Sequence, residues 1–312
     1  MSQILTLTMN PALDIATSIE RVEPVHKLRC GPAQMHPGGG GINVARVLHR
    51  LGADVLAVYP AGGTIGGTLT QLLSAEGVPA QVVPIAGDTR ESFSAHETSS
   101  GQDFRFVLPG PTLSEAEWMA CLAALGAALA GAEWVVLSGG LAPGVPVDFY
   151  ARVARLMRAG GARLVLDSHG EALALALAEG VHLFKPSLRE LQDLTGQPLA
   201  DEAAQVQAAR GFIHRGQARL VALSLGEAGA LLVTAEQAWR ARALGVPVAS
   251  TIGAGDSFVG GLVWALSQGR AEPEAFRYAM AASAAALLSR GTALCDPADV
   301  MRLHAQVVVT AV

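Results

Sequence analysis

The stretch TIGAGDSFVGG, residues 251–261, sets one carboxylate among glycines and small apolar residues. From Ala243 to Gly269, Asp256 is the only formally charged side chain, with Arg242 and Arg270 immediately outside the run. The Gly-Ala-Gly turn feeds an apolar helical run. Its first amides therefore lack intrahelical acceptors and point outward with the positive end of the helix dipole, which makes an anion site. A lone Asp at a helix start is ordinarily an N-cap. Here, however, glycines permit close backbone approach to a ligand, and the surrounding sequence carries no competing charge. A base beside an anion hole suits phosphoryl transfer to a hydroxyl, because the acceptor proton must leave while charge on the moving phosphoryl is stabilised.

Other candidates are scattered along the chain. Glycines 38–41 precede a second helical pattern with Asn43 near its start, and alone they read as a flexible turn. Of 22 basic residues only Lys27 and Lys185 are lysines. A compact ammonium suits a point-charge phosphate contact better than a planar fork, codon bias being the plain alternative. Neither GxxxxGK[ST] nor GxGxxG occurs, and the eight histidines show no metal-binding spacing.

The elements that must position these residues follow from pattern. ILTLT, DVLAVYPAG, WVVLSGG, RLVLDS, HLFKP and RLVALSLG read as buried strands. Amphipathic or Ala-rich segments at about 41–51, 65–76, 114–130, 148–160, 188–195 and 202–215 lie between them. This alternation predicts an α/β fold, a doubly wound and mainly parallel sheet flanked by helices, with ligands at the carboxyl ends of the strands. Polar or glycine signals fall there: Asp14, SGG 138–140, DS 167–168, KPS 185–187 and SLGEAG 224–229. Residues 15–37 and 87–108 alternate in shorter steps, with FRFV 104–107 setting Phe104 and Phe106 opposite Arg105 and SSGQ 99–102 as a turn. They are expected to pair into a small sheet that closes as a lid or packs on a second subunit, within one domain spanning 1–312.

Composition narrows the class. The chain has 312 residues, 51% hydrophobic and 16% charged, and a net charge of −5. With a pI near 5.9 and a mean hydropathy of +0.36, a compact soluble protein is expected, without a basic field for nucleic acid or an anionic membrane. Three distant cysteines, Cys30, Cys121 and Cys295, suggest neither a disulfide framework nor a zinc ribbon. The beginning MSQILTLTMNPALD lacks a basic start and long apolar stretch, so a cytoplasmic protein is expected.

TIGAGDSFVGG resembles the C-terminal signature of the ribokinase, or PfkB, family of sugar kinases, and PGGGGINVARVLHRLG at 37–52 resembles its N-terminal one. The resemblance covers essentially the whole chain. KLRCGPAQMHPGGGGINVAR, YPAGG, FRFV and SLGEAGALL bring it nearest to the minor bacterial 6-phosphofructokinases of that family. It implies ATP and Mg²⁺ as cofactors, with Asp256 as general base and the amides of Gly253, Ala254, Gly255 and Asp256 as anion hole. Asp14, Gly39, Gly40, Asn43, Ser138 and Gly139 would bind the sugar, the glycines letting it lie against the backbone. Lys27, Arg29, Arg90 and Arg105, all within the two lid segments, favour a phosphorylated substrate.

On the nucleotide side, Lys185 would meet ATP phosphates and Glu190 the magnesium region. Ser187 stands where the family has Asn. Ser224, Gly226 and Gly229 would lie under the nucleotide, and Ala284 would flank adenine. Carbonyls of Ser250 and Ile252 would serve K⁺, although Ser289 and Ala293 replace larger polar groups. The expected reaction is phosphorylation of the 1-hydroxyl of fructose 6-phosphate by a homodimer joined through the lid sheet. Tagatose 6-phosphate or fructose 1-phosphate is the alternative acceptor, and a sugar-phosphate-binding regulatory protein the non-catalytic alternative.

Overall fold

The computed structural model describes residues 3–312. The first third of the chain runs β1 (Gln3–Leu7), β2 (Ala12–Ile19), β3 (Gln34–Gly38), α1 (Gly40–Arg50), β4 (Val55–Ala61), α2 (Gly63–Ala75), β5 (Ala80–Pro84), β6 (Arg90–Glu97) and β7 (Asp103–Val107). Helix and strand then alternate through α3 (Glu115–Ala128), β8 (Ala132–Ser138), α4 (Phe149–Gly160), β9 (Arg163–Asp167), α5 (Gly170–Ala178) and β10 (Val181–Phe184). After α6 (Leu188–Thr195) and α7 (Glu202–His214) come β11 (Ala218–Ser224), β12 (Ala230–Val233) and β13 (Ala238–Ala241). The last elements are α8 (Ala254–Ser267), α9 (Glu272–Leu287), α10 (Pro297–His304) and β14 (Val309–Ala311).

Ten strands form one sheet in the order β5-β4-β1-β8-β9-β10-β11-β12-β13-β14. Pairing is parallel from β5 to β11 and antiparallel beyond. Helices cover both faces, and alternate residues of one strand serve opposite cores. In β11, Leu220 and Ala222 pack with residues of α1, α8 and α9, while Val221 and Leu223 pack with residues of α3 to α7. Burial on both faces is why these strands read as unbroken apolar runs. Strand order reverses at β1, which lies between β4 and β8. The crevice at that reversal, at the carboxyl ends, is where such sheets take ligands.

Four strands form a separate small sheet, β3-β2-β6-β7. It joins the two short-stepped segments, with β2 parallel to β6 and the other pairs antiparallel. Its start differs from expectation. A bend at Met9–Asn10 ahead of Pro11 ends β1 early, so β2 begins at Ala12 and Asp14 lies inside the small sheet, not at the tail of the first strand. Asp14 pairs with His36 and Ser92, and Arg105 with Ser94 two residues further along the same face. The other face carries Met35, Ile15, Phe93 and Phe106 in one row.

The uncharged run around Asp256 has a packing cause. Helix α8 is buried from Ser257 to Val263, pressed between α1 and α9. A Cβ on Gly260 would fall 2.5 Å from Val47 Cγ1, and one on Gly261 2.7 Å from the Tyr278 carbonyl. The expectation that charge is kept away for the sake of the carboxylate is therefore corrected: other charges reach it from elsewhere in the fold. Among the described residues no helix is long and apolar enough to cross a membrane.

Candidate active site

Gly253 stands at the N-cap of helix α8, and its φ of +78° lies in the left-handed region, which glycine enters without strain. No side chain caps this helix. Asp256 is its third residue and turns outward, where it accepts a 2.9 Å hydrogen bond from Asn43 Nδ2. Among the described residues the amides of Gly255 and Asp256 have no backbone acceptor, whereas that of Ala254 makes a long 3.5 Å bond to the Thr251 carbonyl. Burial pushes the Asp256 carboxyl up to about 7, with Asp167 adding to the rise and the Asn43 hydrogen bond and Lys185 opposing it. A carboxyl poised there exchanges a proton near neutral pH.

The glycine run ahead of α1 answers to protein neighbours. A Cβ on Gly38 would sit 2.2 Å from Asp14 Oδ2, one on Gly40 2.3 Å from Ser138 Oγ, and one on Gly41 2.5 Å from Thr8 Oγ1. These glycines therefore allow α1 to close on the strand ends and on Asp14. Gly39 and Gly40 also line the neighbouring cavity, so close packing by the protein adds to the expected approach of a sugar and does not replace it.

A cavity of about 460 Å³ opens between the small sheet and the strand ends, and Asp14, Asn43, Arg90, Arg105, Glu190 and Asp256 all line it. This is the size of a small-ligand site. Gly39, Gly40, Ser138, Gly139, Ile252 and Gly253 complete much of its wall. Burial raises the Asp14 carboxyl, opposed by the Thr292 hydroxyl and by the charges of Arg105, Arg46 and Arg90. Arg90 is held by Nη2 to the Asn10 carbonyl at 3.0 Å and Nη1 to the Leu108 carbonyl at 3.2 Å.

Beside this cavity, Lys185 Nζ meets Asp167 Oδ1 at 3.1 Å, with the ammonium almost fully buried. Burial alone would lower the lysine; Asp167, Glu190 and Asp256 outweigh it and keep the ammonium charged. Ser187 caps α6. Its hydroxyl accepts from the Glu190 amide at 3.3 Å while Glu190 Oε2 accepts from the Ser187 amide at 2.7 Å and hydroxyl at 2.9 Å, a capping box. The hydroxyl that stands where the family has an Asn is thus engaged locally, donating to Glu190 Oε2 and accepting from the Glu190 amide. Glu190 also lines the cavity, where its carboxylate is available to a magnesium ion carried by a nucleotide. No group of three or more His, Cys, Asp or Glu side chains is gathered for a metal among the described residues. Mg²⁺ is commonly carried by nucleotide phosphates with one or two carboxylates, and Asp167 and Glu190 at the cavity wall are groups of that kind.

The pfkB family carbohydrate kinase model matches residues 7–299. The chain belongs to the pfkB family of carbohydrate kinases. It is 47% identical over 300 residues to the ATP-dependent 6-phosphofructokinase isozyme 2 of Mycobacterium tuberculosis, covering 96% of this chain and 88% of that one. It is 35% identical over 315 residues to the 1-phosphofructokinase of Xanthomonas campestris, covering 99% of each. Crystal structures of Escherichia coli phosphofructokinase-2 superpose closely. The complex with potassium gives a TM-score of 0.92 at 38% identity, and that with fructose-6-phosphate 0.90 at 37%, each covering 98% of this chain and 99% of the other.

Within this pfkB-family kinase the fold gathers most, not all, of the expected residues. Lys27 and Arg29 are exposed and outside the cavity. The β2–β3 register pairs Ala16 with Gln34, so residues 20–33 run past the far end of the small sheet from Asp14. Of the four expected cations, Arg90 and Arg105 line this chain's own cavity. Ser224 bonds the Pro186 carbonyl through its hydroxyl at 3.4 Å, and Gly226 and Gly229 flank a short 3₁₀ turn. Ala284 is buried in the α9 core. None of these four lines the cavity around Asp256. Ser250 Oγ accepts from the Ile252 amide at 3.2 Å, and both residues border a second cavity of about 260 Å³.

Sequence reading gave no role to Asp167, although the DS at the end of its strand was a legible signal. His169 also lines the cavity and carried no signal at all.

Proposed function

We propose that this kinase transfers the γ-phosphoryl of ATP to the 1-hydroxyl of fructose 6-phosphate, giving fructose 1,6-bisphosphate and ADP. The carrying observation is that Asp256, poised near neutrality beside the free amides of α8, shares one cavity with Asp14, Arg90 and Arg105. In the reading, Asp14 accepts from sugar hydroxyls, and Arg90 and Arg105 pair with the 6-phosphate. Asp256 takes the proton of the 1-hydroxyl as the new O–P bond forms and the bond to ADP breaks. The Gly255 and Asp256 amides, with Gly253 and Ala254 shaping the turn, stabilise charge on the moving phosphoryl. Lys185 lies on the nucleotide side of Asp256. Magnesium held with ATP near Glu190 supplies charge neutralisation on the phosphates, and K⁺ at the Ser250 and Ile252 carbonyls would support the same loop.

The Xanthomonas relative favours a second reading, fructose 1-phosphate as acceptor, since the same two arginines serve either end of the sugar. A coupled assay over fructose 6-phosphate, fructose 1-phosphate, tagatose 6-phosphate and free fructose decides. The highest kcat/KM is expected on fructose 6-phosphate. Turnover of free fructose alone would remove the phosphate-pairing argument. The reading includes a cytoplasmic homodimer joined through the small sheet, supported by the row Met35, Ile15, Phe93 and Phe106, in which Met35 and Phe106 are about half exposed.

A further inference from the structure

Arg46 is completely buried, yet it contacts neither the cavity nor any surface. It lies on α1 three residues after Asn43, on the same face of the helix. Nε and Nη2 reach the Glu76 carboxylate at 3.0 and 2.7 Å. Nη1 donates to the Pro37 carbonyl and the Thr292 carbonyl, each at 2.9 Å, and faces Asn43 Oδ1 at 3.4 Å. One guanidinium thus joins the end of β3, the start of α1, the end of α2 and the loop after α9.

The consequence lies in the Asn43 amide. On one side stands a group with donors only, and on the other, at Asp256, a carboxylate that when ionised only accepts. The observed amide satisfies both, its oxygen toward Arg46 and its nitrogen toward Asp256. The reversed amide would set donor against donor and oxygen against oxygen. We propose that Arg46 is a positioning residue, fixing the Asn43 amide so that its nitrogen serves Asp256 and holding the small-sheet end and the 292 loop at the same anchor.

This deepens the reading of Asp256 as base and rests on it. The other groups facing Asp256 are Asp14, Asp167, Lys185 and, across the cavity, Glu190, His169, Arg90 and Arg105. Of these, Asp14 also feels the charge of Arg46, a charge that Arg46→Lys keeps, so a shift of Asp256 in the lysine variant reports on the amide.

The test compares Arg46→Lys, Arg46→Met, Asn43→Ala, the double variant Arg46→Lys/Asn43→Ala and Glu76→Gln. Readouts are the acid limb of the kcat/KM–pH profile, carbon-13 titration of the Asp256 carboxyl, and thermal unfolding. Arg46→Lys keeps a cation for Glu76 but loses the fork that also reaches Asn43. It should move the acid limb and the carboxyl titration upward together by about half to one pH unit, a loss of roughly three- to tenfold in kcat/KM below the limb. Asn43→Ala should shift them alike, and the double variant no further.

Glu76→Gln should lower the unfolding temperature and leave the limb in place, which separates loss of stability from loss of positioning. Arg46→Met, with Arg50 still pairing Glu76, also withdraws the charge that Asp14 feels and serves as the control for loss of charge beside the lysine variant. A folded Arg46 variant with both titrations unmoved, or shifts that add in the double variant, overturns the proposal. If Asp256 is not the base, Asp256→Asn stays active while the carboxyl titration still reads Arg46. The two failures are therefore distinct.

Discussion

Asp256→Asn should cost activity and return stability, with a pH signature that only a buried base produces. Burial raises this carboxyl from its ordinary 3.8 to about 7. Between those values the folded protein holds a proton that the unfolded chain releases, so stability falls as pH climbs through that window. Above it the full liability is present, about 4 kcal/mol if none of it is relieved by relaxation, and below pH 4 it is absent. Asparagine keeps an oxygen for Asn43 Nδ2 and carries no charge. The variant should therefore gain on the order of 2–4 kcal/mol over wild type at pH 8 and nearly nothing at pH 4.

Turnover should drop by on the order of 10²-fold or more. In the wild type only about a tenth of the carboxyl is ionised at pH 6, so kcat/KM should fall nearly tenfold per pH unit there. Denaturant unfolding of both proteins at pH 4, 6 and 8, with a coupled assay over the same range, measures all of this. Equal stabilities at pH 8, or a stabilisation independent of pH, would refute the buried-base argument even if activity were lost.

Three further outcomes are expected. Lys185→Met leaves Asp167 buried without its cation and should destabilise by about 3–5 kcal/mol at neutral pH; less loss at pH 4 than at pH 8 in chemical unfolding would show that the carboxylate charge is the cause. Ser187→Ala removes the α6 cap and should lower stability by about 1 kcal/mol, with KM for ATP changing little because the hydroxyl is engaged by Glu190; a tenfold rise in that KM would restore the phosphate contact. Sedimentation at assay concentration should find a dimer, and Phe106→Asp on the apolar face of the small sheet should yield monomer, whereas a monomeric wild type would end the lid-sheet interface.

The large sheet was legible because its strands are buried on both faces and its helices on one, and period and apolarity are local properties of the chain. FRFV showed its two faces in the same way, with Arg105 turned inward and Phe106 outward as alternation demands. Asp256 stood out through its glycines and its isolation. The isolation itself was misleading, since a helix wedged between α1 and α9 excludes charge whatever its tip does.

What tertiary structure alone decided was proximity. Lys27 and Arg29 sit in the same kind of segment as Arg90 and Arg105, yet strand register carries one pair away from Asp14 and the other onto it. Asp167, Arg46 and His169 gained their places from strands and helices far apart in sequence. The sequence by itself determined the layers and the helix tip that receives negative charge. Which charges surround that tip, and hence the proton affinity of Asp256, depends on desolvation and on distances between side chains that only the packed chain brings within a few ångströms.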